Sequence, residues 1–176
     1  MSTIYSKVTY TRKIEYQTET RIVDNNGIFS VIKSSLYSNN HLDNMYSNYL
    51  KLKEIYNDNI VSCTKDNNKL LFPFVQGNSL EDLINNGNID LAINHYLSLL
   101  DNKDNIVDFE MTKEFENVFG HIDYQGKACK LSNIDLIFSN IIVDKNNNPI
   151  ILDYEWVFDF PIPRDFVIYR AVEHYA

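Results

Sequence analysis

Cysteines and long apolar runs are scarce in this sequence, and each shortage excludes some classes of protein. The two cysteines, Cys63 and Cys129, are far apart and form no metal-ligand pattern, so a reduced, cytoplasmic setting is expected. No apolar run reaches the ~20 residues of a membrane-spanning helix, and the first residues lack the apolar core of a secretion signal. We therefore expect a soluble chain with no membrane span and no standard export signal.

Basic residues are also in the minority. Lysine and arginine number 16 against 24 aspartates and glutamates, which gives a net charge of −8 and a pI near 4.9. A protein that binds nucleic acid needs a basic face for the phosphates, so we expect no nucleic-acid partner. With 176 residues, 44% of them hydrophobic, the chain is long enough for one domain or two small lobes with real cores.

The first feature that the sequence does contain is a pattern of strands. Side chains alternate through residues 4–36 with the period of a β-meander. One predicted face carries Val8, Tyr10, Arg12 and Ile14. The tetrapeptide Asp24-Asn25-Asn26-Gly27 is a strong hairpin turn, and it predicts a third strand from Ile28 to Leu36.

A helix and two more strands follow the meander. Apolar side chains recur every three or four positions from His41 to Tyr56, which predicts an amphipathic helix over residues 41–56. The segments Ile60 to Thr64 and Lys69 to Val75 flank an Asp-Asn-Asn turn and predict two strands. Together these elements predict a five-stranded antiparallel sheet packed on a helix, in a first domain over residues 1–76.

The second half is predicted to be mainly helical. An apolar strand runs into Gly77, and Ser79 then caps a helix whose first turn is acidic. Three later helices are predicted over residues 89–100, 111–119 and 166–175. These elements make a reduced helical domain over residues 77–176, so the predicted fold class is α+β.

The most informative stretch is residues 133–156. Asp135 precedes Asn140 by five positions, and Asp153 follows Asn140 by thirteen. Two short apolar runs around an Asn-rich turn predict a hairpin with Asp153 at its exit. Because a hairpin brings its two ends together, we expect Asn140 and Asp153 to face one small volume with Asp135 beside them. Three oxygen-bearing side chains in one pocket suit Mg²⁺ and a proton-accepting base better than they suit a core.

The order Asp-Leu-x-x-x-Asn, with an aspartate at the end of the next hairpin, resembles the catalytic loop and metal-binding aspartate of the protein-kinase-like fold. That fold includes aminoglycoside and sugar phosphotransferases and has two lobes. The resemblance implies Asp135 as the base that orients a substrate hydroxyl, and Asn140 and Asp153 as Mg²⁺ ligands. The chain departs from the family at Asn133-Ile134, where a histidine is usual, and at Asp153-Tyr154-Glu155, which replaces Asp-Phe-Gly.

The same resemblance implies where a nucleotide would bind. Lys33, at the end of an apolar strand, would hold the α- and β-phosphates; the alternative is a lone surface lysine on an edge strand. Backbone groups near Val75 and Gly77 would contact adenine in a hinge between the lobes; the alternative is an ordinary strand-to-helix turn. The glycine-rich loop that usually covers the phosphates is missing, because the one glycine of this region, Gly27, belongs to a hairpin turn.

A second resemblance concerns the last part of the chain. The segment from Ile134 to Arg170 is similar to kinase-like segments attached to methyltransferases and glycosyltransferases of bacterial surface-polysaccharide (O-antigen) assembly. The chain ends where a kinase C-lobe would continue with several helices. A fragment of a larger protein and a pared-down family member are both open alternatives.

Two hypotheses from different classes follow. The first is an ATP- and Mg²⁺-dependent phosphotransferase that acts on a sugar or other small hydroxyl acceptor, with a nucleotide and a small molecule or glycan as its partners. The second is a catalytically inactive kinase-like binding or scaffold module of a larger polysaccharide-assembly protein. The missing glycine loop and the short C-lobe favour the second. The intact set of Asp135, Asn140 and Asp153 favours the first, which we prefer.

Overall fold

The computed structural model describes residues 2–176 as an α+β chain. Its contacts divide the chain into two compact units. The first unit contains the described residues up to Lys51 together with Val61–Val75, and the second contains Leu52–Ile60 and Gln76–Ala176. Within the described residues, no helix is both long enough and apolar enough to cross a membrane.

The first unit is built on one antiparallel sheet of five strands, as predicted. In chain order the strands are β1 (Ser2–Val8), β2 (Thr18–Asn25), β3 (Ile28–Ser35), β4 (Thr64–Asp66) and β5 (Lys69–Pro73). Their order in the sheet is β1-β2-β3-β5-β4, so β3 is the middle strand. Helix α1 (Asn40–Tyr56) follows β3 and matches the predicted helix to within one residue.

The first strand is shorter than the alternation predicts. It ends at Val8, and the chain from there to β2 forms a loop that contains a 3₁₀ turn at Ile14–Tyr16. Tyr10 and Ile14 are 71% and 57% exposed, so no core face holds this segment against the sheet. The predicted strand through Arg12 is therefore wrong, because the pairing with β2 ends at Val8 and the chain then forms the loop.

The fourth strand also lies later than predicted. Ile60, Val61 and Cys63 are buried, but β4 begins only at Thr64. The apolar run is thus a core segment that precedes the strand. A short apolar run is expected both for a buried irregular segment and for a buried strand, so the sequence alone does not distinguish the two.

Asparagine takes the place of glycine in several turns. The sequence has only five glycines, and the backbone has a positive φ at four asparagines, namely Asn26, Asn57, Asn67 and Asn147. Asparagine tolerates the left-handed region better than most residues. In the turn between β2 and β3 it is followed by Gly27, whose amide donates to the Asp24 carboxylate at 2.7 Å.

The second unit combines four helices with three small antiparallel sheets. The helices are α2 (Leu80–Asn85), α3 (Ile89–Leu100), α4 (Lys113–Phe119) and α5 (Arg164–Tyr175). The strands are β6 (Gly77–Ser79), β7 (Ile106–Asp108), β8 (Lys127–Cys129), β9 (Ser132–Asn133), β10 (Ile141–Asp144), β11 (Pro149–Ile151), β12 (Val157–Phe158) and β13 (Ile162–Pro163). The prediction of a mainly helical second domain missed most of these strands, because strands of two or three residues carry no periodic signal.

Local sequence chemistry explains where α2 begins. The Ser79 hydroxyl accepts from the Asp82 amide at 2.9 Å, and the Asp82 carboxylate accepts from the Ser79 amide at 2.9 Å. This reciprocal pair is a capping box. The Ser79 hydroxyl also donates to the Asp82 carboxylate at 2.7 Å, and this bond, together with the one from the Ser79 amide, lowers the pKa of the Asp82 carboxyl. The cap therefore stabilises the folded state above the usual aspartate pKa and weakens as the pH falls through the lowered value.

The sheet of the first unit can be tested at its centre. Leu70 on β5 is fully buried, and Leu36, just beyond β3, is 38% exposed. We expect Leu70→Ala to lower the free energy of unfolding by about 2–5 kcal/mol, because it leaves a cavity in a packed core. Leu36→Ala is the matched control and should change it by less than about 0.5 kcal/mol. Urea denaturation followed by circular dichroism measures both; equal effects would contradict the described core.

Candidate functional site

The predicted hairpin is formed by β10 and β11. Ile141 pairs with Ile151 at the base of the hairpin. At the other end, the turn is closed by a hydrogen bond from the Asn148 amide to the Asp144 carboxylate. One step beyond the strands, the Leu152 amide donates to the Asn140 carbonyl at 2.8 Å. This bond places Asn140 directly across from the residue that precedes Asp153.

The turn of the hairpin is held by one carboxylate. The Asp144 side chain accepts from the Asn146 and Asn148 amides, each at 2.9 Å. These bonds, chiefly the one from Asn148, lower the pKa of the Asp144 carboxyl. The turn is therefore most stable above the usual aspartate pKa and weakens as the pH falls through the lowered value.

The loop that carries Asp135 is tied to the segment that follows Asp153. The Asp135 carboxylate accepts from the Trp156 amide through Oδ2 at 2.9 Å. The Ile134 amide donates to the Trp156 carbonyl at 3.1 Å. Just outside these bonds, β9 pairs with β12, with Asn133 opposite Val157. The two segments are thus joined by backbone and side-chain hydrogen bonds over several successive residues.

Side-chain amides complete the connection between the three predicted site residues. The Asn140 Nδ2 donates to the Asp135 carbonyl at 3.1 Å. The Asn133 carboxamide contacts both Asp135 and Asp153, accepting from the amide of the first and donating to the carbonyl of the second, each at 3.0 Å. The structure therefore brings the backbones of Asp135, Asn140 and Asp153 together in one hydrogen-bonded network.

The side-chain oxygens of Asp135, Asn140 and Asp153 are of the kind that binds a magnesium ion. Because the Asn140 nitrogen is used by the Asp135 carbonyl, its Oδ1 is the amide atom left to face a cation. Asp135, Asn140 and Asp153 are all half-buried, so solvent reaches them. In the described part of the chain no three His, Cys, Asp or Glu side chains form a metal-binding group. Mg²⁺ does not need one, since it usually binds one or two carboxylates, substrate phosphates and water.

Gly77, predicted to lie in a hinge, begins β6 and pairs with Asp144 of β10. A Cβ atom at this position would overlap the carbonyl oxygen of Val143 and lie 2.7 Å from the Ile142 Cγ2. Glycine is needed here because the backbone of β10 approaches too closely for any side chain. Val75 is half-buried in the irregular segment just before β6 and is the last residue of the first unit.

Lys33 lies on the middle strand of its sheet, so the alternative of an edge-strand lysine does not hold. It stands opposite Leu70 on β5, which stands opposite Lys65 on β4. Directly opposed residues of an antiparallel ladder share one face of the sheet. Lys65 forms an ion pair with Asp43 near the start of α1, so the helix lies at this same face. Lys33 is therefore half-buried on the helix side of the sheet.

Sequence reasoning missed two members of the network. Asn133 attracted notice only as a departure from a histidine, and its carboxamide proves to contact both predicted aspartates. Trp156 contributes its backbone amide, a group that side-chain patterns do not reveal. Both residues lie in strands of two residues or directly beside one, where the sequence carries no pairing signal.

The chain matches no protein-family model, and no curated protein matches it. The functional inference therefore depends on the geometry of this site.

The close approach of β10 to Gly77 can be tested through the stability of the pairing between β6 and β10. We expect Gly77→Ala to lower the free energy of unfolding by about 1–3 kcal/mol, because the added methyl group must displace the backbone of β10. Asn78→Ala, at an exposed position of the same strand, is the control and should have little effect. Thermal unfolding of the two variants provides the comparison. A fully stable Gly77→Ala protein would show that β6 and β10 are not this close.

Proposed function

We propose that the chain is an ATP- and Mg²⁺-dependent phosphotransferase with a kinase-like, two-lobe arrangement, acting on a hydroxyl group of a sugar or other small molecule. The observation that carries the proposal is the hydrogen-bonded network of Asp135, Asn140 and Asp153. The network supports this function because it ties together the backbones of three residues whose side chains carry oxygen atoms, and all three residues are half-buried.

In this proposal Asp135 acts on the acceptor. Its Oδ2 accepts from the Trp156 amide, so one oxygen of the carboxylate is oriented before the acceptor arrives. A carboxylate in this position accepts the proton of the acceptor hydroxyl and keeps that oxygen directed at the phosphoryl group. Phosphoryl transfer requires little more than positioning and charge stabilisation, so a fixed orientation is the main contribution of this residue.

Asn140 and Asp153 would hold the magnesium ion through Oδ1 of the amide and the carboxylate. The ion, when bound, neutralises the charge of the nucleotide phosphates. Lys33 is the candidate for the α- and β-phosphates, and backbone groups near Val75 and Gly77 are the candidates for the adenine. The half-buried position of Lys33 on the helix side of a central strand supports its role, because a lysine there is partly withdrawn from solvent.

The acceptor class comes from the resemblance of residues 134–170 to segments of surface-polysaccharide assembly proteins. We propose a glycan or nucleotide-sugar acceptor and a cytoplasmic location, where ATP is supplied. A catalytically inactive binding module is the alternative function, and the absence of a glycine-rich loop between β1 and β2 favours it. The two functions differ in whether nucleotide binding is followed by turnover.

Asp153 gives the first test. We expect Asp153→Asn to abolish Mg²⁺-dependent binding of ATP, because the substitution removes the charge that would bind the metal. Titration with Mg²⁺ and ATP can be followed through Trp156, which is the single tryptophan of the sequence and adjoins the site. The control is Asp159→Asn, which removes an exposed carboxylate from the same region. Wild-type protein that binds no ATP would refute the nucleotide-dependent function.

Asp135 separates catalysis from binding. We expect Asp135→Asn to bind Mg²⁺ and ATP nearly as the wild type does, because this side chain faces the acceptor. Its turnover should fall by about 10²- to 10⁴-fold, the usual effect of losing a general base. ATP consumption with pooled nucleotide-sugar and oligosaccharide acceptors measures the rate. If the wild type binds ATP but shows no consumption that Asp135→Asn reduces, the binding-module function replaces the enzyme.

A further inference from the structure

Asn133 is a buried polar residue that the proposed chemistry does not itself use. Only 3% of it is exposed, and it ends strand β9. Its Oδ1 accepts from the Asp135 amide, and its Nδ2 donates to the Asp153 carbonyl, each at 3.0 Å. The two ends of one amide group therefore hold the candidate base and the candidate metal ligand at the same time.

We propose that Asn133 is a positioning residue that keeps Asp135 and Asp153 in one fixed register, so that metal binding at Asp153 and the orientation of the Asp135 carboxylate are coupled. The catalytic consequence rests on the proposed function. The geometric role does not, because it follows from the two hydrogen bonds and can be measured on the protein alone.

The coupling follows from the closed path of hydrogen bonds in which Asn133 takes part. From the Asp153 carbonyl the path runs through the Asn133 amide group to Asp135, and from the Asp135 carboxylate to the Trp156 amide. Trp156 lies three residues after Asp153 on the same segment. A shift of Asp153 therefore moves both groups that orient Asp135, and the reverse is equally true.

The chemical demand on residue 133 is narrow. It must present an acceptor to one backbone amide and a donor to one backbone carbonyl, within a buried space. A carboxamide does both with one planar group. An aliphatic side chain of similar size would leave two part-buried backbone groups without this partner, which costs more than the loss of a fully exposed hydrogen bond.

The adjacent residue provides a matched control. Ser132 is also fully buried on β9, but its hydroxyl donates to the Cys129 and Phe160 carbonyls, at 2.7 and 3.3 Å. Ser132→Ala therefore removes buried hydrogen bonds from the same strand without touching those that reach Asp135 and Asp153. A general loss of stability should appear in both variants, and a loss of positioning only in Asn133→Leu.

Two measurements test the proposal on the full chain. The first is hydrogen exchange of the Trp156 and Asp135 backbone amides, observed by NMR. We expect Asn133→Leu to accelerate both by roughly tenfold or more, because the Asp135 amide loses its acceptor and the Asp135 carboxylate that accepts from the Trp156 amide is no longer held in place. Ser132→Ala should leave both at the wild-type rate. The second is calorimetric titration with Mg²⁺ and ATP. Asn133→Leu should weaken binding by about 10- to 100-fold, the range typical of losing a partner that orients a metal ligand.

The exchange measurement decides the proposal independently of the proposed function. If Asn133→Leu is folded by circular dichroism and its Trp156 and Asp135 amides exchange as in the wild type, Asn133 is not a positioning residue. If the exchange accelerates but wild-type protein binds no Mg²⁺ and ATP, the phosphotransferase fails and the positioning role stands. Should Asn133→Leu fail to fold, Asn133→Asp keeps the acceptor and loses the donor, and the same faster exchange of the Trp156 amide is expected; a wild-type rate there overturns the proposal.

Discussion

The hydrogen bond from the Trp156 amide to the Asp135 carboxylate is the constraint on which the arrangement of this site depends. Asp135 lies in a loop, so no strand ladder or helix fixes its side chain. A bond between a backbone amide and an ionised carboxylate is stronger than one between neutral groups, and it is shielded here by partial burial. The direction of that amide is set in turn by the pairing of β12 with β9.

Most features with a local cause could be predicted from the sequence. The hairpin of β10 and β11 lies where β-branched residues flank an Asn-rich turn, and α3 has the predicted bounds. Ser79 caps α2 because serine, followed three residues later by aspartate, can form a reciprocal pair of bonds. In each case the interacting residues are a few positions apart, so the pattern that predicts the structure and the contact that forms it lie in the same short segment.

Features that depend on distant partners could not be predicted in this way. Alternation around Tyr10 suggests a strand, yet the segment has no buried face and forms a loop. Gly77 was expected to matter for ligand contact, and the structure adds the steric reason that β10 passes directly against it. The role of Asn133 depends on Asp153, twenty positions away, whose backbone carbonyl has no sequence signature. The positions of Asp135, Asn140 and Asp153 follow from their spacing, but the bonds that orient them do not.

The double pairing of β10 has a consequence for the order in which this region folds. One side of the strand pairs with β11 across a short turn, and the other side pairs with β6, more than sixty residues earlier in the chain. The hairpin needs only a small loop to close, whereas the contact with Gly77 must wait for a far longer one, and long-range pairings form more slowly. Asn140, at the open end of the hairpin, therefore acquires its neighbours within the hairpin early, and the sheet beside it is completed by β6 only later. A chain interrupted between these two events would contain the hairpin motif without the completed three-stranded sheet.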